Sequence, residues 1–204
     1  MENYNLLMEK EIKRIEENGE KPKLLVHSCC APCSSYVLSL LCKKFDITVF
    51  YFNPNIFPES EFLYRSEEQA RLIKEMGEDI SFIEGRYKPD EFFDALKGHE
   101  GDREGGERCE ICFRLRLFEA AKVAKEQGFD YFTTTLSISP LKNAPLLNKI
   151  GAEAAEKFGV KYLFSDFKKK EGYKQSIILS KKYNLYRQNY CGCVFSKKEA
   201  EERK

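Results

Sequence analysis

The segment LLVHSCCAPCSSYVLSLL (24–41) decides the fold, because it joins a strand, a cysteine-rich loop and a helix in one short run. Its first five residues, LLVHS (24–28), form the short apolar run that is typical of a buried strand. Ser34 and Ser35 favour helix caps and predict a helix that continues to about Lys44. A strand, a loop and a helix in this order are the first half of a βαβ unit.

The alternation of strand and helix continues along the rest of the chain. The further predicted strands are ITVFYF (47–52), 80–83, 131–135 and VKYLF (160–164), and the further predicted helices are the leading twenty residues, 59–76, 89–97, 109–128, 143–158 and 173–183. Such alternation is typical of parallel strands joined by right-handed crossovers, with helices on both faces of the sheet. We therefore predict an α/β fold, a doubly wound, Rossmann-like domain with a mainly parallel five-stranded sheet.

Length and charge bound the organisation of the chain. With 204 residues and 42% hydrophobic content, it can bury one sizeable core, so we expect a single α/β domain over 1–204. Residues 165–204 are expected to form a basic, tyrosine-rich extension with helix and loop. Residues 161–204 hold twelve Lys and Arg against five Asp and Glu, although the whole chain carries a net charge of only +1. This end predicts a polyanion-binding surface or, as the simpler alternative, a solvated helix face.

The sequence predicts a cytoplasmic protein without a membrane partner. The first twenty residues contain no apolar stretch of signal-peptide length, and no apolar run approaches the roughly 20 residues that cross a bilayer. In the cytosol, paired cysteines are more often metal ligands or redox centres than structural disulfides.

Seven of the eight cysteines fall into three clusters, and the remaining one, Cys42, is expected in the core. The clusters are Cys29-Cys30-x-x-Cys33, Cys109-x-x-Cys112 and Cys191-Gly192-Cys193. The first follows the first strand, at the edge of the sheet where ligands bind. The second opens a helix, whose positive end favours thiolates. Four thiolates from these two clusters are therefore expected to meet at this edge.

Three kinds of site remain open on these spacings. They are a structural zinc site, an iron–sulfur cluster and a dithiol redox centre. The position beside a substrate crevice favours the cluster, since a structural zinc needs no such place. Cys33 is then a surplus thiol that either binds a second metal, acts on substrate or only packs beneath the loop. Cys191 and Cys193 favour an easily reduced disulfide over metal ligands or inert thiols.

The motifs together resemble the epoxyqueuosine reductase family QueH. They are HSCCAPCSS (27–35), ERCEICFRLRL (107–117), TTTLSISPLKN (133–143) and NYCGCVFS (189–196), and they span most of the chain. The resemblance implies an oxidoreductase that performs the last step of queuosine synthesis. An epoxide on a modified guanine at the tRNA wobble position is reduced to an alkene with loss of water, without cobalamin.

The resemblance also implies roles for the cysteines. A [4Fe–4S] cluster would be bound by the first two clusters of thiols, at Cys29, Cys30, Cys109 and Cys112. Cys191 and Cys193 would form a redox-active disulfide, and an external electron donor would supply the electrons for the reaction. Cys33 is a candidate ligand for an additional mononuclear iron, and His27, Asp102 and Glu107 are candidate proton donors or further ligands.

The fold that the resemblance implies is similar to that of the ATP pyrophosphatases (HUP domains) that modify tRNA. Those enzymes carry a Ser-Gly-Gly-x-Asp-Ser phosphate loop, whereas residues 28–34 here read Ser-Cys-Cys-Ala-Pro-Cys-Ser. The paired glycines that let the backbone approach phosphate are absent, so no use of ATP is expected.

The basic end predicts contact with tRNA that carries epoxyqueuosine. Its lysines and arginine alternate with tyrosines, which stack on splayed bases while cations neutralise phosphates. The candidate cations are Lys168, Lys169, Lys170, Lys174, Lys181, Lys182 and Arg187, and the tyrosines are Tyr173, Tyr183, Tyr186 and Tyr190. The alternative functions are a zinc-stabilised tRNA-binding module, another tRNA-modifying enzyme of the ATP-pyrophosphatase-like fold and a dithiol redox sensor.

Overall fold

The computed structural model describes residues 2–203, and its centre is a five-stranded parallel sheet in the order β3-β2-β1-β4-β5. The strands are β1 (Lys23–His27), β2 (Asp46–Tyr51), β3 (Ile80–Glu84), β4 (Tyr131–Thr134) and β5 (Lys161–Tyr162). Every pair of neighbours runs in parallel, with β1 in the middle between β2 and β4.

Eight α-helices accompany the sheet within the described residues, and a short 3-10 helix (Thr135–Ile138) follows β4. The α-helices are α1 (Tyr4–Glu17), α2 (Ala31–Leu41), α3 (Glu59–Met76), α4 (Pro89–Ala95), α5 (Glu107–Glu126), α6 (Ala144–Phe158), α7 (Gly172–Lys182) and α8 (Val194–Glu202). Leu24 and Val26 of β1 pack on one side with residues of α1 and α2. Leu25 packs on the other side with alanines of α5 and α6. Both faces are covered, so the predicted doubly wound α/β fold is confirmed.

The start of α2 differs from the prediction of a cap at Ser34 and Ser35. The helix already begins at Ala31, with Cys30 in the capping position and Pro32 in the first turn. Proline fits there because its fixed φ suits a helix and its missing N–H needs no partner. Cys33 consequently lies inside the first turn of α2 rather than in the preceding loop.

The carboxyl-terminal segment also differs from the prediction, which had no helix after the Cys-Gly-Cys motif. α8 begins directly after Cys193, whose side chain accepts a hydrogen bond from the Ser196 N–H. The preceding segment packs on the body of the fold, since Leu185 contacts Ala31 and Leu72. The motif therefore lies between two helices. Among residues 2–203, every helix is too short or too polar to span a bilayer.

Candidate functional site

The strand order places a crevice at the carboxyl ends of β1 and β4, where the direction of winding reverses. Open α/β sheets bind ligands at this point. Cys29 follows β1 and Thr135 follows β4, and the Cys29 N–H donates to Thr135 Oγ1 at 3.3 Å. The first cysteine cluster therefore lies where its sequence position predicts.

The three thiols of the first cluster lie together at this edge. The sulfur atoms of Cys29, Cys30 and Cys33 are all within 4.8 Å of one another, and those of Cys29 and Cys30 are 3.8 Å apart. Hydrogen bonding from Cys29 and Cys33 lowers the pKa of Cys30 well below its ordinary value. The pKa of Cys33 rises well above its ordinary value, because its thiol bonds to the other two. The cluster thus favours one shared thiolate, and Cys33 belongs to it.

The second cluster is carried by the first turns of α5. Cys109 Sγ accepts a hydrogen bond from the Gly105 N–H at 3.2 Å, and Cys112 is buried. Burial raises the pKa of both thiols, that of Cys112 to about 12. Cys29 and Cys109 pack against one apolar group that includes Leu117. The structure therefore brings the first two clusters to the same region.

A buried guanidinium, that of Arg116, lies between the clusters. It is 1% exposed, and its Nη2 donates to Asn53 Oδ1 at 2.6 Å while its Nη1 lies 3.9 Å from Cys112 Sγ. Throughout residues 2–203, no carboxylate forms an ion pair with it. Burial opposes the charge, but Cys112, Cys191 and Cys29 raise the pKa of Arg116. An uncompensated buried charge is costly, so this site suits an anionic metal–thiolate centre.

The third cluster reaches the same region from the carboxyl-terminal segment. Cys191 Sγ accepts a hydrogen bond from Lys142 Nζ at 3.3 Å, whereas Cys193 is buried at the start of α8. A small cavity is lined by thiols of the second and third clusters, namely Cys109, Cys112, Cys191 and Cys193. All eight cysteines lie in the described range and are free thiols, and the redox-active pair of Cys191 and Cys193 stays a prediction.

The backbone between those two thiols has a conformation that requires glycine at position 192. Its φ is +125°, and a Cβ atom at this position would lie 2.9 Å from Ile56 Cγ1. The carbonyl of Cys191 accepts from Arg65 Nη1 at 3.2 Å, and that of Gly192 accepts from the Phe57 N–H at 3.1 Å. These contacts hold the motif against the cysteine edge.

A cavity of about 350 Å³ opens beside the thiols. This volume is within the range of about 300–1,000 Å³ that is typical of small-molecule sites. Cys29, Cys30, Cys33 and Cys191 line it, together with Glu104 and Lys142. Polar and aromatic side chains line the rest, among them Tyr173, Arg187, Gln188, Asn189, Tyr190 and Arg203.

The predicted proton donors lie away from this cavity. His27 is fully buried beneath it, and burial together with Arg116 lowers its pKa to about 3, so its ring is neutral. Its Nδ1 bonds to Thr134 Oγ1 at 2.9 Å. Asp102 and Glu107 instead face His99, whose Nδ1 lies 3.2 Å and 3.4 Å from their carboxylates.

The predicted nucleic-acid cations differ in their surroundings. Arg187 lines the cavity, and Lys169, Lys181 and Lys182 are exposed. Lys170 pairs with Glu9, Lys174 with Glu171 and Lys168 with Asp166. Lys168 Nζ also donates to the carbonyl of Lys142 at 3.2 Å, behind the cavity wall.

Lys142, Glu104 and Arg116 were missed from the sequence. Arg116 carries a detectable signal, because it lies four residues after Cys112 on the buried face of α5. Lys142 lies in the motif TTTLSISPLKN (133–143), but nothing in the sequence pattern distinguishes it from an ordinary surface lysine.

Comparison with known proteins gives a consistent result. The family model described as "Epoxyqueuosine reductase QueH" matches residues 24–199. A protein of that name from Staphylococcus epidermidis is 44% identical over 95% of this chain and 84% of its own length. Those of Streptococcus pyogenes (41% identical, 96% and 78%) and Thermotoga maritima (38% identical, 88% and 93%) are also similar.

Proposed function

This chain belongs to the epoxyqueuosine reductase QueH family, and we propose from this that it reduces epoxyqueuosine in tRNA to queuosine. The reaction consumes two electrons and two protons, breaks both C–O bonds of the epoxide and releases water. The observation that carries the proposal is the arrangement of the three thiol clusters around two cavities that share Cys191. The first and third clusters line the cavity of about 350 Å³, and the second lines the small cavity together with the third. Reducing equivalents and substrate can meet there.

The first two clusters would hold the cofactor. Cys29, Cys30, Cys109 and Cys112 would bind a [4Fe–4S] cluster, which supplies electron transfer and Lewis-acid polarisation when bound. Cys33, in contact with Cys29 and Cys30, would bind an additional mononuclear iron. The buried Arg116 supports an anionic centre here, since no carboxylate in the described range balances its charge.

Neither ATP nor cobalamin takes part in the proposed reaction. Pro32 occupies the first turn of α2, so one of the backbone N–H groups that a phosphate-binding helix start would offer is missing. Cys29 and Cys30 also stand where a phosphate loop has its paired glycines.

Cys191 and Cys193 would be the two-electron store. Their oxidation to a disulfide releases two electrons, and an external electron donor restores the thiols. Gly192 lets the backbone between them turn, and the half-buried Cys191 faces the substrate cavity.

The mouth of the cavity would bind the anticodon loop of tRNA. Tyr173, with 37% of its surface exposed, and Tyr190 supply stacking surfaces beside the cations Arg187 and Arg203. Aromatic stacking with flanking cations is a common way to hold unpaired bases. The proposed compartment is the cytoplasm, where tRNA is modified.

Anaerobic purification followed by iron and sulfide analysis tests the cofactor. We expect roughly four sulfides per chain together with four or five irons. Stoichiometric zinc without sulfide would instead indicate a zinc-stabilised tRNA-binding module.

The activity is tested by single and multiple turnover of epoxyqueuosine-containing tRNA with dithionite as electron donor, followed by nucleoside mass spectrometry. Cys193→Ser should keep its iron but slow multiple turnover, because Cys191 alone cannot form the disulfide. Cys42→Ser, in the core away from the cavity, is the matched control. Loss of iron in Cys193→Ser would make that cysteine a ligand.

A further inference from the structure

Lys142 is a buried cation in the wall of the substrate cavity. It precedes α6, is 8% exposed and lines both the large cavity and the small cavity between the thiols. Lysine is rarely buried to this extent unless it is paired. The partners of its ammonium therefore show which N–H donors remain for a ligand.

Two of the three donors of the Lys142 ammonium have partners. Its Nζ is 3.2 Å from Glu104 Oε1 and 3.3 Å from Cys191 Sγ. The ring of Phe113 lies beneath it, with the centroid 5.8 Å from Nζ. An ammonium has three N–H donors, and no further acceptor among residues 2–203 bonds to this one. One donor is left beside the cavity.

The surrounding contacts fix the ammonium in place and keep it charged. Lys168 Nζ donates to the Lys142 carbonyl at 3.2 Å, and the Glu104 N–H donates to a Glu199 carboxylate oxygen at 3.1 Å. Burial alone would lower the pKa of Lys142, but Cys191 and Glu104 outweigh burial and raise it above the ordinary value. At neutral pH this group is a permanent cation and a poor acid.

We propose that Lys142 is a catalytic residue that donates a hydrogen bond to the epoxide oxygen as that oxygen leaves carbon. The inference rests on the proposed function. As each C–O bond breaks, the oxygen takes up negative charge, and a fixed cationic donor stabilises that charge more than it stabilises the neutral epoxide. The two electrons come from the Cys191 and Cys193 thiols, which the external donor restores, and the two protons that complete the water molecule come from solvent. Lys142 keeps its own proton, and Glu104 is its positioning residue.

The test compares Lys142→Gln and Lys142→Arg with the wild type in single turnovers with dithionite. Removal of one such donor typically lowers a rate by about 10²- to 10³-fold. We expect that loss in the glutamine variant and partial rescue by arginine, which keeps the charge. Lys149→Gln, an exposed lysine on α6, is the matched control and should react at the wild-type rate.

Two further measurements separate catalysis from a structural role. Iron content with the visible absorption spectrum, and the affinity for substrate tRNA, should stay within about twofold of the wild type in Lys142→Gln. A parallel loss of iron or tRNA affinity would overturn the inference, and so would an unchanged rate. If the wild type itself converts no substrate, the proposed function fails and this inference fails with it. If the wild type converts substrate and the Lys142 variants react at the same rate, this inference fails and the proposed function stands.

Discussion

Replacing Arg116 with methionine should weaken the loaded centre while changing the metal-free protein little. In the metal-free protein, Cys112 is neutral at pH 7 because burial raises its pKa to about 12. The buried guanidinium then lacks an anion, and the desolvation of such a charge costs several kcal/mol. Removing it also loses the bond to Asn53 Oδ1, which contributes about 1.5–3 kcal/mol. These effects oppose each other, so the free energy of unfolding should change by no more than about 2 kcal/mol.

The loaded protein differs because a bound metal makes Cys112 a thiolate. Its sulfur lies 3.9 Å from Arg116 Nη1. Two unit charges at that distance attract by about 4 kcal/mol at an effective dielectric constant of about 20. A loss of about 4 kcal/mol corresponds to about 10³-fold in a binding constant. Iron should therefore leave Arg116→Met much faster under a chelator.

The assay has two arms. Urea unfolding of the metal-free proteins under reducing conditions gives the first quantity, and chelator-driven loss of visible absorbance gives the second. Arg108→Met is the matched control, since Arg108 is also buried but pairs with Glu199 at 2.8 Å. It should lower the free energy of unfolding of both forms by a similar amount, because its removal leaves Glu199 without this partner. If Arg116→Met destabilised the metal-free protein as strongly, or retained iron as the wild type does, the argument from its uncompensated charge would be refuted.

Three further predictions concern Gly192, the pH dependence of stability and the affinity for tRNA. Gly192→Ala should destabilise the protein by about 1–3 kcal/mol in urea unfolding, because its φ of +125° and the contact with Ile56 both exclude a Cβ atom; unchanged stability would contradict this. The unfolded chain binds more protons than the folded one between about pH 6.5 and 3, because burial lowers the pKa of His27 to about 3. Stability should therefore fall by up to about 1.4 kcal/mol per pH unit below pH 6.5, and His27→Gln should flatten this slope in unfolding measured against pH. Affinity for tRNA should fall steeply with salt, and charge reversal at Lys168, Lys169 and Lys170 or at Arg187 should lower the affinity and the salt slope; a flat salt dependence in filter binding would remove this surface.

Local signals predicted most of the fold. The helix predicted over 59–76 is observed with those bounds, because Gly77 ends it with a φ of +65°. The helix predicted over 143–158 begins where expected, because the Asn143 side chain caps α6 by accepting from the Leu146 N–H. Such helix boundaries depend on one or two residues that are close in sequence, so they can be predicted from the sequence.

The missed features depend on contacts between distant segments. α8 has nine residues and few apolar ones, and it is held by contacts such as that of Phe195 with Arg108, whose guanidinium carbon lies 4.6 Å from the ring centroid. The approach of Cys191 to Lys142 joins positions 49 residues apart. Periodicity contains no information about either contact, so the sequence assigned the third cysteine cluster to the tail and not to the cavity.

The buried cations set a charge requirement on the three clusters together. Arg65 has Glu61, which accepts from its Nε at 2.7 Å, and Lys142 has Glu104. The first cluster favours a thiolate at Cys30, and this thiolate raises the pKa of Arg65. Its negative charge therefore acts on a cation that already has a carboxylate partner. Arg116 alone depends on the remaining thiols for its balance. The folded chain therefore stores an electrostatic preference that is satisfied when thiolates of the first two clusters are held by metal. This preference explains why a buried arginine without a carboxylate is tolerated beside them.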